Sequence, residues 1–119
     1  MSKILIVDDN KDITEMLGKY LRMKGFECTV SNDGHNGYNL IKNGVYDFIF
    51  LDMSMPDFSG PMIIDGLKKE GILKNNKIII FTASSITNEQ IDELLKNDGV
   101  ITVLKKPVQL NELLTVISS

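Results

Sequence analysis

The fold of this chain is decided by residues 47–51, Asp47-Phe-Ile-Phe-Leu51, a short run that is almost continuously apolar. A strand with one solvent-exposed face alternates apolar and polar residues, whereas a parallel strand buried on both faces is apolar throughout. The run ends at Asp52, and a loop containing proline and glycine follows it. Residues 47–51 therefore predict a buried strand in a parallel sheet.

Similar apolar runs recur along the chain and alternate with segments of helical spacing. The predicted strands are 3–7, 26–31, 47–51, 77–81 and 100–104. Apolar residues three and four positions apart predict helices between and after them, the first ending near Gly25 and the last covering 110–117. Thr87 and Gln90 have the spacing of a capping box. Five successive β-α units predict an open parallel α/β sheet with helices on both faces.

Length and composition exclude several classes of protein. The 119 residues fit one domain, and the net charge of −3 does not favour direct nucleic-acid binding, which needs a basic face. No apolar run approaches the roughly 18 residues of a membrane span, and no signal peptide is visible, which predicts a cytoplasmic protein without a membrane partner. The single cysteine, Cys28, is expected to be a buried, inert thiol. The lone His35 is expected to be an exposed helix residue, and Met53, Met55 and Met62 are expected to serve packing.

Polar residues collect immediately after four of the predicted strands. They are Asp8 and Asp9 after the first strand, Asp52 after the third, Thr82 after the fourth, and Lys105-Lys106-Pro107 after the fifth. Taken singly, each has a structural explanation: a helix cap, a turn residue, a β-branched strand residue or a loop. Because sites of open α/β sheets lie beyond the carboxyl ends of the strands, these groups are expected to converge on one pocket.

A cluster of three carboxylates needs cations. Each pair repels by about 4 kcal/mol at an effective dielectric constant near 20, so three pairs approach the stability of a whole domain. Lys106 can supply one positive charge, and a bound metal can supply the rest. Oxygen ligands in a hydrated site suit Mg²⁺ best. A carboxylate in such a site can attack a phosphoryl group and form an acyl phosphate.

Four segments resemble the receiver domains of two-component response regulators. They are Ile4-Leu-Ile-Val-Asp-Asp-Asn10, Phe50-Leu-Asp-Met-Ser-Met-Pro-Asp-Phe-Ser-Gly60, Ile80-Phe-Thr-Ala83 and Leu104-Lys-Lys-Pro107. The resemblance covers essentially the whole chain, so residues 1–119 are expected to be one receiver domain. It implies a doubly wound (β/α)5 fold with the flavodoxin-like strand order 2-1-3-4-5.

The resemblance also implies the metal ligands. Asp52 would be the phosphoacceptor and would bind Mg²⁺ (or Mn²⁺) directly, together with Asp9 and the backbone carbonyl of Ser54. Asp8 would act mainly through metal-bound water.

The remaining roles carried over by the resemblance concern contacts to the phosphoryl group and its loss. The Thr82 hydroxyl would turn toward the phosphoryl oxygen, and Lys106, in preference to Lys105, would pair with another of its oxygens. The small Ala83 would leave room for a backbone N–H, and the Lys106-Pro107 bond would be cis. The resemblance also implies that Ser54 and Ser84 occupy two positions that tune loss of the phosphoryl group.

Two positions depart from the family pattern. Val103 stands where the family usually has tyrosine or phenylalanine, and Val108 stands where an aromatic residue often follows the Lys-Pro pair. An inward swing of an aromatic ring is therefore not expected here. A loop shift over residues 82–85 could still reach the output helices.

The sequence thus predicts a signalling switch that catalyses only its own phosphorylation and dephosphorylation. A histidine kinase or phosphotransfer protein would be the donor, and a downstream protein would bind the face formed by the fourth helix, fifth strand and fifth helix. The chain would be a monomer or a phosphorylation-dependent dimer. The alternatives are a constitutive interaction module and a hydrolase of the haloacid dehalogenase type, which would need Asp-x-Asp directly after the first strand.

Overall fold

The computed structural model describes residues 2–83 and 85–118, and within them five strands alternate with five helices. The strands are β1 (Lys3–Val7), β2 (Glu27–Ser31), β3 (Phe48–Asp52), β4 (Ile78–Thr82) and β5 (Val100–Lys105). The helices are α1 (Lys11–Met23), α2 (Gly34–Asn43), α3 (Gly60–Lys69), α4 (Asn88–Leu95) and α5 (Leu110–Ile117). A 3-10 turn at Leu73–Asn75, for which the apolar pattern of the sequence gives no signal, precedes β4. The predicted elements are confirmed, with small differences at their ends.

All strand pairs are parallel, and the sheet order is β2-β1-β3-β4-β5. This is the doubly wound, flavodoxin-like order that the resemblance implied, and it confirms the open parallel sheet predicted from the alternating elements. The chain moves outward from β1 in both directions, so β1 and β3 lie at the topological switch point, where open α/β sheets form their sites.

The sheet separates two apolar cores. Because successive strand residues point to opposite faces, Leu5 and Val7 join one core while Ile4 and Ile6 join the other. Helices α2 and α3 cover the first face, where Leu94 of α4 also packs, and α1 and α5 cover the second. The last four residues of β3 and all of β4 are buried, as expected for strands covered on both sides.

Local signals in the sequence fix the helix starts. Asn10 caps α1 by accepting a hydrogen bond from the Ile13 amide at 3.2 Å. Asp33 caps α2 through the Asn36 amide, and Thr87 and Gln90 form the predicted reciprocal capping box at the start of α4. None of the helices in the described ranges is long and apolar enough to cross a membrane.

Several predictions about individual side chains need correction. Cys28 is half-buried rather than buried, although burial still raises the pKa of its thiol. Met16 belongs to the apolar stripe of α1 yet is 49% exposed, and Met62, expected to pack, is 50% exposed. Each lies on a helix flank that no neighbouring element fully covers. Met55 is buried as expected, and His35 is exposed as expected.

Candidate functional site

Three carboxylates meet where β1 and β3 end. Val7 pairs with Leu51 across the two strands, so Asp8 and Asp52, the next residues on each, are neighbours at the same edge of the sheet. One oxygen from each of Asp8, Asp9 and Asp52 lies within 4.8 Å of the other two. Asp8 and Asp52 are buried, whereas Asp9 is exposed. The predicted convergence of these acids is therefore present in the fold.

Lys106 brings a positive charge into this cluster. Its Nζ lies 3.1 Å from Asp8 Oδ2 and 3.2 Å from Asp52 Oδ1. The Lys106 amide donates to the Thr82 carbonyl at 2.7 Å, which extends the pairing of β4 and β5 by one residue. The peptide bond between Lys106 and Pro107 is cis, as the resemblance implied. Lys105 is exposed, and the lysine that reaches the acids is Lys106.

Burial and charge shift the ionisation of the Asp52 carboxylate. Burial is the largest cause that raises the pKa of Asp52 to about 6, and the nearby charge of Asp8 adds to it. Lys106 and the backbone amide of Ser54 act in the opposite direction. Burial also disfavours the charged form of Lys106, but hydrogen bonds and charges from Asp8 and Asp52 outweigh it and raise the pKa of that ammonium. The cluster therefore holds excess negative charge at neutral pH, and a further cation would stabilise it.

Asp8 is held in place by partners that the sequence analysis did not identify. The Asn10 amide donates to Asp8 Oδ1 at 2.9 Å. The Asn32 side-chain amide donates both to the Asp8 carbonyl and to Thr14 Oγ1, each at 2.9 Å. Asn32 directly follows β2, which is the neighbour of β1 in the sheet. Its position at the carboxyl end of an adjacent strand was the available signal.

The other predicted residues surround the cluster. Thr82 is buried at the end of β4, one residue beyond the partner of Asp52 in the sheet, and Ala83 after it is exposed. Ser54 lies in the exposed part of the loop after β3, and its amide hydrogen bonds to the Asp52 carboxylate. Ser84, which the resemblance connects with loss of the phosphoryl group, lies outside the described residues.

The donor atoms of this cluster fit a hard divalent cation. Among the residues that the structure describes, the ligand atoms that converge here are carboxylate oxygens, without sulfur or imidazole, and this set favours Mg²⁺ or Mn²⁺ over Zn²⁺. Asp9 is exposed and retains access to water, which matches the preference of Mg²⁺ for keeping part of its hydration shell. The residues present therefore fit the cation that the sequence predicted.

Comparison with known proteins gives consistent matches along the chain. The family model for the response regulator receiver domain matches residues 4–118. The transcriptional regulatory protein DltR of Streptococcus agalactiae is 34% identical over 113 residues, which cover 94% of this chain and 48% of DltR. The hybrid signal transduction histidine kinase G of Dictyostelium discoideum is 34% identical over 119 residues, 98% of this chain and 3% of that kinase. The chain thus spans about half the length, or much less, of these curated relatives.

Solved structures agree with the sequence matches. The receiver domain of the Francisella response regulator 1452 has 31% identity and a TM-score of 0.89, with 99% of this chain and 94% of that chain covered. The response regulator TrrA of Thermotoga maritima, solved in complex with Mg²⁺ and BeF, has 28% identity and a TM-score of 0.82, with 99% and 97% covered.

Proposed function

Because the chain belongs to the receiver domain family of two-component response regulators, we propose that it accepts a phosphoryl group on Asp52 from a histidine kinase or phosphotransfer protein. The observation that supports this best is that Asp8 and Asp52 are both buried beside the exposed Asp9, and that Lys106 neutralises only part of their charge. A purely structural site would be expected to balance its charges, since unpaired buried charge costs free energy.

Asp52 is the nucleophile in this proposal. With a pKa of about 6, its carboxylate is mostly ionised at pH 7.5 and able to attack. A carboxylate oxygen forms the new P–O bond while the P–N bond of the donor phosphohistidine breaks, and the electron pair stays on the imidazole nitrogen. Bound Mg²⁺ would neutralise charge on the phosphoryl oxygens, and Asp8, Asp9, Asp52 and the Ser54 carbonyl are the groups that would hold it.

Lys106 and Thr82 complete the neutralisation of the phosphoryl group. The Lys106 ammonium already lies 3.2 Å from Asp52 Oδ1, so it can transfer its contact to a phosphoryl oxygen on the same carboxylate. The Thr82 hydroxyl donates to another phosphoryl oxygen. Positioning and electrostatic stabilisation by groups held in place contribute most of the catalysis in phosphoryl transfer. The chain would catalyse no reaction other than its own phosphorylation and dephosphorylation.

The output surface is proposed to be the face formed by α4, β5 and α5. Leu95 is 42% and Ile101 43% exposed there, which leaves apolar area for a protein partner. No residue of α4 is fully buried, so the helix is weakly anchored and open to redistribution. Val103 of β5 is half-buried and packs against the same core as Leu94 of α4, so it links β5 to the core beneath that helix. A downstream protein, or a second copy on phosphorylation, is the expected partner in a cytoplasmic setting, without direct nucleic-acid contact.

Intact-mass measurement with acetyl phosphate and Mg²⁺ tests the proposed acceptor. The wild type should gain one phosphoryl group, whereas Asp52→Ala and the EDTA-treated wild type should gain none. A wild type that binds Mg²⁺ but gains no phosphoryl group, either here or from a phosphorylated histidine kinase, would refute the switch and favour a constitutive interaction module.

A further inference from the structure

The loop between β3 and α3 is tied to a helix distant in sequence. Asp57, in the middle of this loop, accepts hydrogen bonds from the first two amides of α2: Gly34 N to Oδ1 at 3.0 Å and His35 N to Oδ2 at 3.1 Å. These amides lack partners within their own helix, and a carboxylate at a helix N-terminus is favoured by the helix dipole. The Gly34 and His35 amides lower the pKa of Asp57, so its carboxylate is ionised at neutral pH.

Aromatic contacts strengthen the same attachment. The Phe58 ring stacks on His35 with centroids 4.8 Å apart and an angle of 11° between the planes. It also meets Tyr38 edge-on at 5.3 Å. A Cβ on Gly34 would lie only 1.9 Å from the Phe58 carbonyl oxygen, so the loop backbone lies directly on the start of α2.

The attached loop begins at the proposed acceptor. The Ser54 amide hydrogen bonds to the Asp52 carboxylate, and Asp57 lies three residues further along. The end of the loop is also close to its start, because a Cβ on Gly60 would lie 2.8 Å from the Asp52 carbonyl oxygen. Residues 53–59 thus form a short loop with both ends on β3 and its middle on α2, which leaves the backbone at Ser54 little freedom.

We propose that Asp57 is a positioning residue that sets the Mg²⁺ affinity of the site by holding residues 53–59 on the N-terminus of α2. The proposal rests on the proposed function, in which the Ser54 carbonyl is a metal ligand. Asp57 would act only by fixing the loop that presents this carbonyl. Groups that orient metal ligands commonly change metal affinity 10- to 100-fold when they are removed.

Titration calorimetry of the unphosphorylated protein with Mg²⁺ tests the proposal, at a temperature where circular dichroism shows every variant folded. We expect Asp57→Ala to raise the Kd for Mg²⁺ about tenfold or more. Asp57→Asn, which keeps one acceptor, should give a smaller increase and serves if Asp57→Ala fails to fold. Asp65→Ala, which removes a charge from the exposed face of α3, is the matched control and should leave the Kd within about twofold of wild type.

A second variant separates loop position from charge. Gly34→Ala introduces no charge change but forces the loop away from α2, so it should weaken Mg²⁺ binding in the same direction as Asp57→Ala. In phosphorylation by acetyl phosphate, both variants should need more Mg²⁺ for half-maximal rate and should recover to within about threefold of the wild-type rate at saturating Mg²⁺.

The outcomes distinguish the two proposals. If the wild type binds no Mg²⁺, the proposed function itself fails. If the wild type binds Mg²⁺ and Asp57→Ala binds it equally well while losing only thermal stability, Asp57 is merely structural and this inference is overturned. An effect in Asp57→Ala that Gly34→Ala does not share would also overturn it, because charge rather than loop position would be responsible.

Discussion

The substitution Asp52→Asn should stabilise the metal-free protein at neutral pH. Asp52 has a side chain that is 5% exposed and lies beside the buried Asp8, so its negative charge is unfavourable in the folded state despite the contact with Lys106. Asparagine has nearly the same shape and can still accept a hydrogen bond from Lys106. Removing the charge should therefore relieve repulsion and desolvation without leaving a cavity.

The size of this effect follows from the pKa of Asp52. A change from 3.8 in the unfolded chain to about 6 in the folded protein, at about 1.4 kcal/mol per pH unit, corresponds to roughly 3 kcal/mol. The folded state binds the proton more tightly, so the stability of the wild type decreases as pH rises from about 3.8 to about 6. The advantage of Asp52→Asn is thus complete above about pH 7 and disappears near pH 4.

Urea unfolding of both proteins at several pH values measures this difference. Without Mg²⁺, we expect Asp52→Asn to be more stable at pH 7.5, and the gap to close by about pH 4 with similar m-values. Adding Mg²⁺ at pH 7.5 should stabilise the wild type more than the variant, because ligand binding to the folded state adds to its stability. Asp65→Asn on the exposed face of α3 is the control. Equal stability at all pH values, or a less stable Asp52→Asn at pH 7.5, would refute the electrostatic argument.

Three further substitutions test the charge balance of the site, the packing of α2 on β1 and the capping of α4. Lys106→Met removes the cation between Asp8 and Asp52 and should lower the free energy of unfolding in metal-free urea by about 2–3 kcal/mol. The loss is smaller than for a fully buried ion pair because the Lys106 side chain is partly exposed. Adding Mg²⁺ should restore part of the lost stability. Gly37→Ala places a Cβ 2.5 Å from Val7 Cγ1, so it should destabilise the fold by about 1–3 kcal/mol even though alanine has the better helix propensity. An unchanged midpoint of urea unfolding would contradict the close packing of α2 on β1. Thr87→Ala removes the capping box and should lower the free energy of unfolding by about 1 kcal/mol. Amide hydrogen exchange should become faster only at the start of α4. Faster exchange across the whole sheet would contradict a local effect.

Sequence alone predicted the architecture well because its signals are local. Continuous apolar runs such as 78–81 identify parallel strands, and the order of strands and helices leaves few arrangements of the sheet. The convergence of Asp8, Asp52 and Lys106 was predictable for the same reason: each follows a strand of a parallel sheet, and those strands end at one edge.

Contacts between distant segments could not be predicted in this way. The Asn32 side chain hydrogen bonds to the Asp8 carbonyl, 24 residues away in the sequence. Asp57 accepts hydrogen bonds from Gly34 and His35, which lie 23 and 22 residues before it. No repeating pattern in the sequence links the residues of either contact. The exposure of Met16 was missed because helical spacing identifies an apolar stripe but not which part of it a neighbouring element covers. Such details depend on how the helices pack against the sheet.

Asp52 is proposed to be the residue that carries the phosphoryl group, and this assignment decides whether the rest of the proposal holds. It is tested most directly by treating the protein with acetyl phosphate and Mg²⁺, reducing the product with borodeuteride, and sequencing its peptides by mass spectrometry. An acyl phosphate is reduced to a deuterated alcohol, so we expect label at position 52 alone, none without Mg²⁺, and none in Asp52→Asn. Label at Asp8 or Asp9 in place of Asp52, or an unreduced phosphoester on Ser54 or Thr82, would contradict it.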